Sequence, residues 1–345
     1  MKPTVRDVLY HKMKTIWEKF IEFIFHYHLN ILSIIVIGFL IILLILVLTV
    51  NMSFDRQSGH GQTWAVLVAG SKGFQNYRHQ ADIARVYQLL VRNGVPRAQI
   101  ITLMYDDVVN DTQNPRRGSL FNECEENEDV YRGIEIDYKG EDVTKETLIS
   151  VLLGDSSKLN GRKVIQSGPM SNVLLYYTDH GGNGHVTMPE GSGVKSEDLR
   201  DVVLKMNSRR MYGGLLIMIE ACESGSMIEG LQTIPGVFAI SASNSTYDSY
   251  ADCADCPFLP GICLSDVFSL QWMRYAEQAH PLSTVAQLAE AVMKDTSTSP
   301  VTTVGDEDIA RLPIGLFLGW SIEGRDHTKR AKPDPKDLKA SRLIV

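Results

Sequence analysis

The 345-residue chain has few cysteines, few prolines and no excess of basic residues, and each shortage excludes a class of protein. Five cysteines are too few for a disulfide-rich scaffold. Thirteen prolines and 27 glycines exclude collagen-like and low-complexity chains. The net charge of −7 argues against general nucleic-acid binding, because an acidic surface repels phosphate groups. The remaining composition, 44% hydrophobic and 22% charged, is that of a globular protein.

Charged residues are also absent from residues 29–50, where isoleucine, leucine and valine predominate. A helix of this length would span about 33 Å, enough to cross a hydrocarbon core of roughly 30 Å. The run and the 28 residues before it are both too long for a cleaved signal peptide. Three lysines precede the run closely and only Arg56 follows it nearby, so the positive-inside rule predicts a cytosolic segment 1–28. We therefore predict one transmembrane signal anchor at residues 29–50 and a lumenal body.

The body is predicted to be a single domain, residues 62–322, between a linker at 51–61 and a tail at 323–345. The tail is polar and basic and has no apolar periodicity, so it is predicted to be disordered. A lumenal body would expose three N-glycosylation sequons, which begin at Asn51, Asn110 and Asn244.

Within the body, runs of strand length alternate with helical patterns. The strands are predicted at 64–69, 100–105, 173–178, 215–219 and 236–241. They are almost continuously apolar, which is typical of strands covered on both faces. The helices are predicted at 79–92, 144–153, 196–207, 265–279 and 283–294. This order predicts an α/β fold with a mostly parallel sheet and helices on both faces, and residues 106–142 form a long loop.

Two predicted strands end in residues that can perform chemistry. His180 follows the strand at 173–178, and Cys222 follows the strand at 215–219. Ligand sites of open α/β sheets lie at the carboxyl ends of strands. A thiolate nucleophile needs a nearby imidazole, and flexible glycines allow backbone N–H groups to approach an oxyanion. The alternative is that Cys222 is a small buried hydrophobic residue and that His180 is an ordinary loop histidine.

Five stretches carry a resemblance to a known family. They are residues 76–82 (NYRHQAD), 104–107 (MYDD), 137–144 (DYKGEDVT), 177–181 (YTDHG) and 219–227 (IEACESGSM). Together they resemble the caspase-like cysteine peptidases and, most fully, the legumains, also called asparaginyl endopeptidases or vacuolar processing enzymes. The resemblance implies a caspase-like fold, protein or peptide substrates with an accessible asparagine, no metal or other cofactor, and a location in the lumen of the secretory or vacuolar–lysosomal system.

The resemblance also implies roles for individual residues. Cys222 would be the nucleophile and His180 its acid–base partner, oriented by Asn76. The backbone N–H groups of Gly181 and Cys222 would form the oxyanion hole. Asp179 matches a family aspartate that can convert to a succinimide linked to ligase activity.

The family pocket for the residue before the cleaved bond matches Arg78, His79, Glu220, Ser249 and Asp266. An asparagine side chain offers one acceptor and two N–H donors, which one cation and two anions can satisfy. An aspartate should enter only when acid neutralises carboxylates. Asp248 departs from the family, which often has a small polar residue there, and it predicts a more acidic pocket.

The other cysteines are Cys124, Cys253, Cys256 and Cys263. A zinc site is disfavoured because the sequence offers no suitably spaced fourth ligand. The resemblance to a disulfide of plant legumains implies that Cys263 pairs with Cys256 or with Cys253. Cys124 would then be free or would pair with the remaining cysteine.

Two features depart from legumains and keep other functions open. An anchor replaces the usual cleaved signal peptide, and no helical prodomain is expected in this chain. Residues 181–184 (GGNG) resemble the catalytic subunit of the glycosylphosphatidylinositol-anchor transamidase. The alternatives to an asparaginyl endopeptidase, which could also ligate peptides, are therefore this transamidase subunit and an inactive, membrane-tethered binding module.

Overall fold

The computed structural model describes residues 12–23, 25–27, 36, 38–40, 42, 61–124, 128–253, 256–280 and 282–320. The chain divides into two units, Met1–Gly59 and His60–Val345. Helices formed by the described residues are all too short or too polar to cross a membrane. The predicted anchor at 29–50 lies almost entirely outside the described residues, as do most of the linker and the whole tail.

The second unit contains a main sheet of six strands and two small sheets. The strands are β1 (Thr63–Ala69), β2 (Ile100–Leu103), β3 (Asn172–Thr178), β4 (Gly181–Gly182), β5 (His185–Val186), β6 (Val194–Lys195), β7 (Gly214–Glu220), β8 (Val237–Ser241), β9 (Ala251–Asp252), β10 (Ser265–Asp266) and β11 (Thr302–Gly305). The main sheet has the order β11-β8-β7-β3-β1-β2. Its strands are parallel except β11, which pairs antiparallel with β8.

The helices are α1 (Tyr77–Arg92), α2 (Lys145–Leu152), α3 (Ser196–Ser208), α4 (Gly225–Ile228), α5 (Val267–Gln278), α6 (Val285–Asp295), α7 (Glu307–Ala310) and α8 (Gly315–Leu318). Helices α1, α5 and α6 bury their apolar residues against one face of the sheet. Helices α2 and α3 bury theirs against the other face. The predicted α/β architecture with helices on both faces is confirmed, and it leaves the carboxyl edge of the parallel strands for loops.

All five predicted strands are present, with two differences at the sheet margins. The second strand ends at Leu103 and not at residue 105, because the chain turns away there: Met104 N donates to Tyr138 O, and Asp106 has a φ of 67°. Strand β11 was not predicted, because its Thr-Thr-Val-Gly sequence is polar and only half-buried at the sheet edge.

Two disulfides lie near β10: one closes the loop between β9 and β10, and the other joins this loop to the long loop after β2. Cys253 pairs with Cys263, which is one of the two expected pairings. Cys124 pairs with Cys256, the remaining cysteine. The second bond links residues 132 positions apart and ties the loop to the chain that leads into Asp266.

Candidate active site

The register of β3 and β7 brings the predicted catalytic pair to adjacent positions. Thr178 is the register partner of Glu220, and Asp179 N donates to Glu220 O at 2.9 Å. His180 and Cys222 each lie two residues beyond these paired positions. Because parallel strands end at the same edge, the imidazole and the thiol emerge side by side at the carboxyl edge of the sheet.

The backbone at Cys222 is closely packed against Gly181, the residue that follows His180. A Cβ on Gly181 would lie 2.8 Å from Cys222 O, so only glycine permits this approach. Glu223 has a φ of 51°, which lies in the left-handed region that residues other than glycine rarely adopt. Its N–H donates to Tyr247 O at 2.9 Å, which holds the turn after the cysteine. The chain therefore presents Cys222 on a sharp, fixed turn.

Asn76, at the start of α1, fixes the tautomer of His180. Its side-chain nitrogen donates to Lys72 O at 2.9 Å, which leaves its Oδ1 as an acceptor. His180 Nε2 lies 2.8 Å from this Oδ1 and must therefore carry the proton. The unprotonated nitrogen is then Nδ1, the nitrogen that can accept a proton from a thiol.

A buried pocket lies beside this pair and joins three elements. Arg78 of α1 donates from Nε to Asp266 Oδ1 of β10 at 2.7 Å. Glu220, at the end of β7, accepts from Ser269 N at 3.2 Å through Oε2. Glu220 Oε1 and Asp266 Oδ2 are buried and have no hydrogen-bonding partner among the described residues. The pocket thus offers a guanidinium and two carboxylate oxygens that accept no hydrogen bond from a described residue, one of which, Asp266 Oδ2, lies 3.4 Å from His79 Nε2.

Asp82, which was not predicted as a site residue, is a third buried carboxyl in this pocket. It accepts hydrogen bonds from Ser265 Oγ at 2.6 Å and Asn122 Nδ2 at 2.7 Å. Burial raises the pKa of Asp82 and of Glu220, and the charge of Asp266 raises both further. Burial also raises the pKa of Asp266, against the opposing effect of Arg78. Acidic conditions therefore neutralise this group of carboxyls readily.

His79 and Asp179 form a buried layer under His180. The His79 ring packs edge-on against the His180 ring at 5.1 Å, and its Nδ1 bonds to Ser71 Oγ at 2.6 Å. Burial keeps the pKa of His79 well below its usual value, so this ring is neutral. Burial raises the pKa of Asp179 to about 7, and hydrogen bonds from Thr187 and Ser71 oppose the rise. This layer packs under His180 without adding a second cation.

The same three groups are the cluster of described residues with the spacing of a metal site. Ligand atoms of His79, Asp179 and His180 lie within 4.8 Å of one another. Ser71 and Thr187 already bond to this cluster. We therefore assign these groups to hydrogen bonding.

The surroundings favour the neutral forms of both the Cys222 thiol and the His180 imidazole. Burial raises the pKa of Cys222, and the nearby Asp248 carboxylate raises it further. Burial lowers the pKa of His180, and the charge of Arg78 lowers it as well. Both pKa shifts favour a proton on the sulfur over a thiolate–imidazolium pair. Cys222 Sγ also lies 3.6 Å from Ser249 O, which places Ser249 between the nucleophile and the pocket.

The fold and the site together define the class of protein. It is an α/β protein in which a cysteine and a histidine lie at neighbouring strand ends, beside a buried pocket that contains groups of both charges. The family model of the Peptidase C13 family matches residues 63–320, and the chain belongs to this family.

Similar proteins agree with this assignment. The vacuolar-processing enzyme delta-isozyme of Arabidopsis thaliana is 38% identical over 81% of this chain and 62% of that protein. A legumain of Canavalia ensiformis is 40% identical over 75% of this chain and 58% of that protein. The resemblance to legumains is thus confirmed, and the chain spans only 62% and 58% of these relatives' lengths. Among solved structures, caspase-1 from Spodoptera frugiperda has a TM-score of 0.46 and 10% identity, over 77% of this chain and 93% of that chain.

The structure places the selected residues in one region, with His79 in contact with both Asp266 and Asp179, and Ser249 in contact with Cys222. The dyad, Asn76 and Gly181 lie at the sheet edge, and Arg78, Glu220 and Asp266 share the pocket. Asp82 was missed, although a carboxylate within the apolar face of α1, four residues after an arginine, was a signal in the sequence.

Proposed function

We propose that the protein is a cysteine endopeptidase that cleaves peptide bonds after asparagine. The observation that carries this proposal is the pair of buried carboxylate oxygens that accept no hydrogen bond within the described part of the chain, Glu220 Oε1 and Asp266 Oδ2, in the pocket that contains Arg78. An asparagine carboxamide presents two N–H donors and one carbonyl acceptor. The donors match the two carboxylate oxygens and the carbonyl matches the guanidinium, so binding would supply hydrogen bonds to both buried oxygens.

The mechanism follows from the tautomer of the histidine. His180 Nδ1 takes the proton of Cys222 as the sulfur attacks the carbonyl carbon of the bound asparagine. The N–H groups of Gly181 and Cys222 stabilise the oxyanion, and His180 then returns the proton to the leaving amine. The C–N bond breaks and a thioester remains. Water hydrolyses the thioester, or a peptide amine attacks it and forms a new peptide bond.

The pocket also predicts how acid changes the substrate preference. An aspartate substrate brings a carboxylate next to three carboxyls, which repel it while they are ionised. Their pKa values are raised by burial, so they take up protons as the pH falls. Cleavage after aspartate should therefore rise at acidic pH, while cleavage after asparagine depends less on these protons.

The cellular setting is a separate part of the proposal. We propose that residues 29–50 anchor the chain in a membrane, with the peptidase domain 62–322 in the lumen. The uncharged run and the lysines before it support this topology. Extraction at alkaline pH tests it: an anchored chain stays with the membrane pellet, and release into the supernatant would contradict the anchor.

Peptide cleavage tests the activity directly. The full-length chain is assayed between pH 4 and 8 on fluorogenic peptides that end in Asn, Asp, Arg or Ala, with Cys222→Ala as the control. The proposal expects cleavage after Asn that the control lacks. A folded protein that cleaves none of these peptides contradicts it, and a requirement for membrane-protein partners would favour the transamidase subunit.

A further inference from the structure

Three exposed residues form a rim beside the nucleophile that the proposed mechanism does not use. The side chains of Tyr247 and Tyr250 are 62% and 52% exposed, and Asp248 between them is exposed as well. We call these three residues the Tyr-Asp-Tyr rim. Exposed apolar patches often mark binding sites.

The rim is fixed in place by the catalytic machinery itself. Tyr247 O accepts from Glu223 N at 2.9 Å, directly after the nucleophile. Tyr250 O accepts from Val267 N at 2.9 Å, directly after the pocket aspartate. The rim therefore runs from the nucleophile to the mouth of the pocket, with Ser249 half-buried in its middle.

Asp248 is a carboxylate in an unfavourable place for a cysteine enzyme. It lies close enough to Cys222 to raise the pKa of the thiol, and no described cation forms an ion pair with it. A negative charge beside a sulfur that must become negative slows the attack. A substrate cation that pairs with Asp248 would remove this penalty and gain a contact at the same time.

The position of the rim selects one part of the substrate. The scissile carbonyl lies at Cys222, and the leaving amine passes His180. The acyl part stays on the pocket side, where Ser249 O lies 3.6 Å from Cys222 Sγ. The residue immediately before the asparagine therefore meets the rim. A carboxylate flanked by aromatic faces is a typical site for an ammonium or guanidinium group.

We propose that the Tyr-Asp-Tyr rim selects substrates with a lysine or arginine immediately before the scissile asparagine, and that Asp248 is the specificity-determining residue. This inference rests on the proposed asparaginyl endopeptidase activity and names its substrate class.

The test compares three peptides that differ only before the asparagine: Lys-Asn, norleucine-Asn and Glu-Asn, each with the same fluorogenic group. Norleucine has nearly the length of lysine and no charge, so the ratio of kcat/KM for the first two reports the charge alone. The wild-type chain should prefer Lys-Asn by roughly fivefold, since exposed ion pairs and cation–π contacts are both modest. It should cleave Glu-Asn more slowly than either.

Asp248→Asn should abolish this preference through two opposite changes. Cleavage of Lys-Asn slows because the ion pair is lost, and cleavage of norleucine-Asn quickens because the charge beside the thiol is gone. Misfolding would slow both substrates. The matched control is Asp308→Asn, which removes one exposed carboxylate from α7, near the start of β8 and so at the opposite edge of the sheet. It should keep the wild-type preference.

Each failure has its own signature. Equal cleavage of Lys-Asn and norleucine-Asn, an unchanged preference in Asp248→Asn, or faster cleavage of a Phe-Asn peptide than of Lys-Asn would overturn the cation subsite and leave the peptidase intact. If no asparagine peptide is cleaved, the proposed function fails. Calorimetric binding of the uncleaved peptides to Cys222→Ala then tests the proposed role of the rim. Tighter binding of Lys-Asn than of norleucine-Asn, lost when Asp248→Asn is added, supports the cation subsite. Equal binding of the two peptides refutes it.

Discussion

Glu220→Gln is the change that most directly examines the pocket. Ser269 N donates to Glu220 Oε2 at 3.2 Å, so a glutamine should place its carbonyl oxygen there. Its NH2 group then takes the position of Oε1, which is buried and has no hydrogen-bonding partner among the described residues. The variant replaces an acceptor with a donor at the point where the substrate carboxamide is expected to donate.

The expected loss follows from one hydrogen bond. A bond to a charged acceptor contributes about 1.5–3 kcal/mol, which corresponds to roughly 10- to 150-fold in kcat/KM for asparagine peptides. Aspartate peptides should respond in the opposite direction, because the new NH2 group can donate to their carboxylate at any pH. The ratio of Asp to Asn cleavage should rise, and cleavage after Asp should extend to higher pH.

Stability provides an independent check on the same variant. Burial holds the folded-state pKa of Glu220 well above its unfolded value, so ionising this carboxyl costs folding free energy as the pH rises above the unfolded pKa. A glutamine removes that cost, and Tm at pH 7–8 should not fall. The assay is kcat/KM for both peptides from pH 4 to 8, with thermal unfolding in parallel and the exposed Glu146→Gln as a matched control. Unchanged Asn cleavage in a folded Glu220→Gln protein would refute the assignment of the pocket.

Three further variants examine the rest of the site. Asn76→Ala should lower kcat by about 10- to 100-fold with KM nearly unchanged, because His180 loses the acceptor that fixes its tautomer; an unchanged kcat would contradict this role. Arg78→Lys should leave the fold intact and raise KM for asparagine peptides, because lysine cannot reproduce the fork geometry of a guanidinium. A normal KM would show that the guanidinium does not bind the carbonyl of the substrate asparagine. Replacing both Cys124 and Cys256 by serine should lower the free energy of unfolding by up to about 5 kcal/mol, because the disulfide closes a very long loop; equal denaturant midpoints in the variant and the wild type would contradict that estimate.

Local sequence patterns were sufficient to predict five of the six strands of the main sheet. The inner strands are buried on both faces and therefore read as unbroken apolar runs, as β3 and β7 do. Strand β11 lacks this signal, since an antiparallel edge strand needs only one covered face. Its pairing with β8 is decided by tertiary contacts that a short polar stretch does not reveal.

The same distinction applies to the site. His180 and Cys222 follow apolar runs, so the rule for strand ends locates them from local sequence alone. The pocket combines residues from positions 78 to 266, and only the family resemblance could group them before the structure was known. The cysteine pairings are equally non-local, because the family resemblance left Cys263 with two possible partners and Cys124 either free or paired with the remaining cysteine.

The disulfides and the pocket are connected by more than proximity in sequence. Asp266 is held by strand pairing with Ala251 on one side and by Arg78 on the other. Cys253 and Cys263 close the loop between these two strands, and they therefore limit how far the pocket carboxylate can move. A buried carboxylate that must meet a carboxamide within hydrogen-bonding distance tolerates little displacement. We therefore expect this bond to stabilise the position of the proposed pocket carboxylate as well as the fold.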